Sequence, residues 1–283
     1  MAQADKPVEG SVQDHAETAA HHASPWISKI ARYGYVAKGV VYATIGVLAM
    51  LEALGMGGKT ASPGGAVKSL GFQPFGGVLL VVLAAGLFGY ALWKFIQGVM
   101  DPDDKGSDAL GIVRRGSYVV SALIHGALGF TAAQTVFGAE DSSEDAMAAS
   151  AMAYQPPFGR ILVATVGVIV IIVCLYQLYA AFHAKFIHDL KLHEMTKAQE
   201  NWVNFLGRVG TTARAIAIGV AGAFVLLAVY QSDPKETRGL GGALETVQQQ
   251  SWGSYMLAAM AIGFVLYGLF MFTIARHREI AAT

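Results

Sequence analysis

The sequence predicts an all-α polytopic membrane protein: six transmembrane helices forming three tandem parallel helical hairpins, pseudo-threefold about the membrane normal. Three observations predict it. The 283 residues are 54% hydrophobic and 14% charged, whereas a soluble domain carries about a quarter charged residues, so the solvent is lipid. Six apolar stretches, 33–54, 76–99, 117–138, 161–182, 211–230 and 254–275, are long enough to cross a hydrocarbon core of ~30 Å at about 1.5 Å of rise per residue. Third, one pattern of small and basic residues is written three times along the chain.

The pattern opens each repeat. Trp26-Ile27, Ile30, Arg32, Gly34, Lys38 and Gly46 return 176 residues later as Trp202-Val203, Leu206, Arg208, Gly210, Arg214 and Gly222. A shift of 83 gives a weaker middle copy: Leu110, Val113, Arg115, Ser117, Ser121 and Gly129. The hairpins therefore occupy 26–100, 109–183 and 202–276.

Ahead of them, residues 1–25 are polar, with His15, His21 and His22, and lack the apolar core of a signal peptide. They are expected to form a disordered cytoplasmic tail. Ser24-Pro25-Trp26 then offers a cap, a proline and a first turn. A short amphipathic approach follows, with Trp26, Ile27 and Ile30, or Trp202, Phe205, Leu206 and Val209, at headgroup level. The outgoing span comes next and ends in an external loop with a helical turn or two. There Pro63-Gly64-Gly65-Ala66-Val67 matches Leu240-Gly241-Gly242-Ala243-Leu244. Returning spans begin at Gln73-Pro74-Phe75-Gly76, Gln155-Pro156-Pro157-Phe158-Gly159 and Ser251-Trp252-Gly253. Their inner halves also repeat: Gly86 and Tyr90 answer to Gly263 and Tyr267, and Trp93 to Tyr176 and Phe270. The many glycines would weaken helices in water, but in lipid small residues let backbones approach.

Orientation follows from charge distribution, the net charge being zero. In a six-span arrangement, five of the 20 lysines and arginines, Lys59, Lys68, Arg160, Lys235 and Arg238, fall on one side and fifteen on the other. The basic side is cytoplasmic, and it holds both termini. Since all three hairpins enter and leave there, the repeats are parallel, related by an axis along the membrane normal. The single cysteine, Cys174, excludes an intrachain disulfide and is expected to be an apolar filler.

The Arg-x-Gly-x3-Lys/Arg-x7-Gly outgoing pattern, the Gly-Gly-Ala loop and the Pro-Phe-Gly start of the returning span resemble the bacterial membrane-protein family known as domain of unknown function 1206. The resemblance covers residues 26 to 276 and implies three tandem two-helix repeats and a membrane location, without an activity to transfer. The middle repeat departs from the family pattern at Ser117 and Ser121.

Residues four apart on the outgoing helices share a face, drifting about 40° per step. That face carries Gly34, Lys38, Tyr42 and Gly46; then Ser117, Ser121, His125 and Gly129; then Gly210, Arg214, Ile218 and Gly222. A polar residue between small ones should face protein or a wet cleft. Lys38 and Arg214 have two readings: long basic side chains that snorkel to headgroups, or members, with Ser121, of a shallow pocket for an anionic lipid headgroup or small anion. Tyr42 and His125 form a candidate intramembrane polar face one turn deeper. For His125, a neutral ring bonded to a neighbouring helix is the default. His183, His188 and His193 recur every five residues, the wrong spacing for shared metal ligation on a helix. The acidic run Glu140-Asp141-Ser142-Ser143-Glu144-Asp145 is expected to be a solvated external loop.

Two look-alikes fail. Ala53-Leu54-Gly55-Met56-Gly57-Gly58-Lys59-Thr60 approaches a phosphate loop, but Ala53 replaces the first glycine and a membrane helix replaces the strand. Asp101-Pro102-Asp103-Asp104-Lys105-Gly106 starts like a calcium loop, but Ile112 stands where the bidentate acid belongs. The sequence thus points to a non-enzymatic inner-membrane protein, structural or interacting with lipid or anions. The alternative is a small channel or transporter between the outgoing helices. The implied partners are the bilayer and anionic headgroups; nothing implies nucleic acid, a metal or a cofactor.

Overall fold

The computed structural model describes residues 9–57, 62–103, 105–138, 158–231 and 240–278. The Glu140–Asp145 run, the Gln155-Pro156-Pro157 part of the expected start of the second returning span and the Gly58-Lys59-Thr60 part of the phosphate-loop look-alike lie outside the described residues, as do residues 1–8 of the tail. Among the described residues there are eight α-helices: α1 (Glu9–Ala53), α2 (Pro63–Gly71), α3 (Gly76–Met100), α4 (Ala109–Val136), α5 (Phe158–Phe182), α6 (Lys197–Gln231), α7 (Leu240–Gln248) and α8 (Gly253–His277). Six of them, α1, α3, α4, α5, α6 and α8, are long and apolar enough to cross a membrane. The short α2 and α7 occupy the two matched loops; in α2 Ser62 is the cap, its Oγ accepting from the Gly65 amide at 3.1 Å, with Pro63 in the first turn.

Two helix starts differ from the sequence expectation. Helix α1 runs through the described residues from Glu9, so that part of the segment expected to be disordered is helical, and Pro25 lies inside the helix rather than at its first turn. The cause is local composition: Glu9, Gln13, Ala16, Glu17, Ala19, Ala20 and Ala23 are strong helix formers. They carry the helix past a proline that removes one backbone donor. Helix α6 likewise joins approach and span without a break. It starts at a capping box in which the Thr196 amide donates to Gln199 Oε1 at 2.9 Å and the Gln199 amide to Thr196 Oγ1 at 3.3 Å.

Helix neighbours follow one order. Helix α4 packs on α3, α3 on α1, α1 on α8, α8 on α6 and α6 on α5. Helix α1 is central, with 56% of its most apolar stretch buried, against 11% for α5. Repeats one and three are built alike. A Cβ on Gly34 would lie 2.5 Å from the Tyr90 nitrogen, and one on Gly210 2.5 Å from the Tyr267 nitrogen. Beside these, Gly86 faces Ala37, and Gly263 faces Ala213. Each outgoing helix therefore touches its own returning helix backbone to backbone.

The middle repeat does not. Among the described residues, α4 and α5 are not packed along each other. At the positions of Gly34, Gly86 and Tyr90 this repeat has Ser117, Ile169 and Val173, and branched side chains on α5 prevent the same close crossing. Instead α4 leans on α3, where Gly98 meets Val119, and α5 leans on α6, where Gly222 meets Val170.

Candidate functional site

Five polar residues of the outgoing stripe, all but Ser117, converge on one centre. Helix α1 brings Lys38 and Tyr42, the first a turn beyond the Gly34 crossing. Helix α4 brings Ser121 and His125, and α6 brings Arg214, a turn beyond the Gly210 crossing. The Lys38 ammonium donates to the Tyr90 hydroxyl at 2.9 Å and lies 4.7 Å from the centre of that ring and 5.5 Å from that of Tyr267. Arg214 Nε donates to the Tyr42 hydroxyl at 2.8 Å, and its Nη1 donates to Gln177 Oε1 on α5. The guanidinium is 5.3 Å from the ring centres of both Tyr42 and Tyr267. Two cations thus share an aromatic cage of tyrosines.

His125 closes the side toward α3, its ring 4.5 Å from that of Tyr90. Its Nδ1 lies 2.8 Å from the Ser121 carbonyl oxygen. A carbonyl can only accept, so Nδ1 carries the proton. The other nitrogen, Nε2, is buried and, among the described residues, without a hydrogen-bond partner. Lys38 and His125 are only 5% and 3% exposed. Among the described residues no carboxylate pairs with Lys38 or Arg214. Beyond Tyr42 the interior turns apolar, filled by Ile45, Ala49, Leu80 and Leu257.

The sequence singled out Lys38, Tyr42, Ser121, His125 and Arg214, and the fold brings them together; Ile218, at the level of Tyr42, adds no polar group. Tyr90, Tyr267 and Gln177 were not singled out as site residues. The first two were visible as repeat equivalents, but their role depends on where the helices cross. Ser117 takes no part: its hydroxyl donates to the Arg114 carbonyl at 2.6 Å. His183, exposed just past the end of α5, has Nδ1 2.9 Å from the Tyr179 carbonyl oxygen. Cys174 is buried against Gly219. Among the described residues no three His, Cys, Asp or Glu side chains come together.

A second polar cluster sits at the basic end of the bundle. Lys94 donates to Gln97 Oε1 at 2.7 Å, and Gln97 Nε2 donates to Asp103 Oδ2 at 2.5 Å. Arg278 Nη2 donates to the same oxygen at 3.2 Å, while its Nη1 donates to the Tyr35 hydroxyl. Arg32 donates to the Ala275 and Arg276 carbonyls at 2.7 and 2.5 Å. The Asp101 side chain accepts from the Lys105 and Gly106 amides, each at 2.8 Å. Those amide bonds, Lys105 first, hold its carboxyl below the usual range against the opposing effect of burial, helped by the Arg115 guanidinium 3.9 Å away. The look-alike calcium loop is thus a loop tied by its own backbone. Asp104 lies outside the described residues.

The profile of the family described as Domain of Unknown Function (DUF1206) matches three times, at residues 33–101, 116–184 and 209–278, as tandem repeats require. Uncharacterized protein YxxB of Bacillus subtilis (strain 168) is 32% identical over 246 residues, covering 87% of this chain and 89% of that protein. No solved structure matches.

Proposed function

We infer that this chain, which belongs to the DUF1206 family, is an integral protein of the bacterial cytoplasmic membrane that holds an anion at the Lys38–Arg214 centre. One observation carries the reading: two cations are gathered in the membrane interior with no carboxylate beside them among the described residues. Removing an ion from water costs several kcal/mol even after relaxation. An anion, whether a lipid headgroup or a solute, supplies the missing charge. The apolar fill beyond Tyr42 favours holding over conduction, since a transport route needs polar groups across the midplane.

The wider arrangement belongs to the same proposal. Both termini are cytoplasmic, and the three repeats surround a pseudo-threefold axis, the returning helix of each packing on the outgoing helix of the next. The middle hairpin is opened. The test is direct. The full chain, purified in mild detergent, is expected to retain an anionic lipid or take up inorganic phosphate, and a Lys38→Met/Arg214→Met variant to lose it. Equal retention by a folded double variant would leave a purely structural protein. Labelling of cysteines introduced near either terminus, in a Cys174→Ala background, checks the orientation; external labelling would reverse it.

A further inference from the structure

The donor and acceptor pattern of the centre says more about its ligand than charge alone. Lys38 uses one of its three N–H groups on Tyr90, and Arg214 is held by Tyr42 and Gln177 so that its guanidinium stays over the tyrosine rings. These groups only donate. His125 differs: with Nδ1–H bound to the Ser121 carbonyl, the neutral ring leaves Nε2 as an acceptor, and that atom is buried with nothing among the described residues to accept from. A buried polar atom without a partner is rare and costly. A chloride ion or a fully ionised sulfate would satisfy the cations and leave Nε2 unmatched.

Resting on the anion-binding reading, we propose that the ligand is an oxyanion that also carries a hydroxyl group. Its charged oxygens lie toward Lys38 and Arg214, and its hydroxyl donates to His125 Nε2. Two sources share this chemistry: a phosphodiester headgroup bearing hydroxyls, and hydrogenphosphate. An ammonium-bearing headgroup is disfavoured, because its positive charge would face two cations. Entry from the side, between α4 and α5, belongs to the same proposal. His125 stands on α4 and Gln177 on α5, the two neighbours in sequence that are not packed on each other among the described residues.

The experiment uses the full chain in phosphatidylcholine nanodiscs and reads retention by native mass spectrometry. Phosphatidylglycerol is compared with phosphatidylethanol, a phosphodiester of equal charge without the hydroxyl, and inorganic phosphate with sulfate. A matched hydroxyl should give a preference on the order of tenfold for phosphatidylglycerol. His125→Phe should level the two lipids without weakening phosphatidylethanol. If phosphate beats sulfate and neither lipid is held, the hydroxylated oxyanion stands and its source is soluble. Equal retention of both lipids and of both ions by the natural chain, with all lost in Lys38→Met/Arg214→Met, would overturn the hydroxyl inference and leave anion binding intact. Retention unaffected by that double variant would overturn both. The comparison within the natural chain does not depend on any variant folding.

Discussion

Gly34 sits so close to Tyr90 that a Cβ on it would lie 2.5 Å from the Tyr90 backbone nitrogen, and Gly210 stands in the same relation to Tyr267. Backbone cannot yield as a side-chain tip can. Gly34→Ala and Gly210→Ala should therefore force the two helices apart, at a cost of about 1–3 kcal/mol each. Gly77 and Gly116 have open space at their Cβ positions, so the same change there should be near neutral. Thermal unfolding in detergent of the four variants checks this, and equal shifts would contradict it.

The pair Arg278 and Asp103 ties the end of α8 to the loop after α3, with the two side chains only 8% and 10% exposed. Removing one charge strands the other, so Arg278→Met or Asp103→Asn should each destabilise by about 3–5 kcal/mol. Making both changes together should cost much less than the sum of the two, because neither charge is then stranded. A double-mutant cycle measured by unfolding gives the coupling, and strict additivity would refute it.

Acid stability should report on Asp101. Its carboxyl is held low, chiefly by the Lys105 amide, so the folded state binds the proton less readily than the unfolded chain. The stabilisation is then complete above the ordinary aspartate value of about 3.9. It is lost as pH falls below that value through the depressed folded one. Asp101→Asn should flatten this acid limb while leaving the fold at neutral pH, since asparagine tolerates the left-handed backbone found there, φ 54°. Unfolding measured between pH 2 and 6 distinguishes the two chains.

What was legible in the sequence was whatever repeats at fixed spacing. Spans, loop helices and the stripe of Lys38, Tyr42, Ser121, His125 and Arg214 are all local patterns on single helices, and side chains four apart share a face in any helix. Partners across helices were harder to see. Tyr90 and Tyr267 were visible as equivalents, yet only the Gly34 and Gly210 crossings place their rings around the cations. Gln177 lies 37 residues from Arg214 and Asp103 lies 175 from Arg278, pairings that no local periodicity encodes. The separation of α4 from α5 was written in Ser117, Ile169 and Val173, but its meaning depended on knowing the backbone contact that these residues prevent.

Arg214 gives the sharpest test of how the centre is held, because one side chain joins three helices. Its Nε engages Tyr42 on α1, its Nη1 engages Gln177 on α5, and it belongs itself to α6. Lysine keeps the charge but has a compact ammonium in place of a planar fork, so it cannot hold both partners in the same geometry. Arg214→Lys should leave Tyr42 or Gln177 with an unmet buried group and lower stability by about 1–3 kcal/mol. Gln177→Leu removes the α5 partner alone and should weaken the α5–α6 contact while Tyr42 stays bound. The order follows from the count of bonds lost. Arg214→Met should be the worst, since it loses both bonds, with Arg214→Lys next and Gln177→Leu mildest. Unfolding midpoints in one detergent rank the three, and a lysine variant as stable as the natural chain would show that Arg214 acts as a charge and not as a brace.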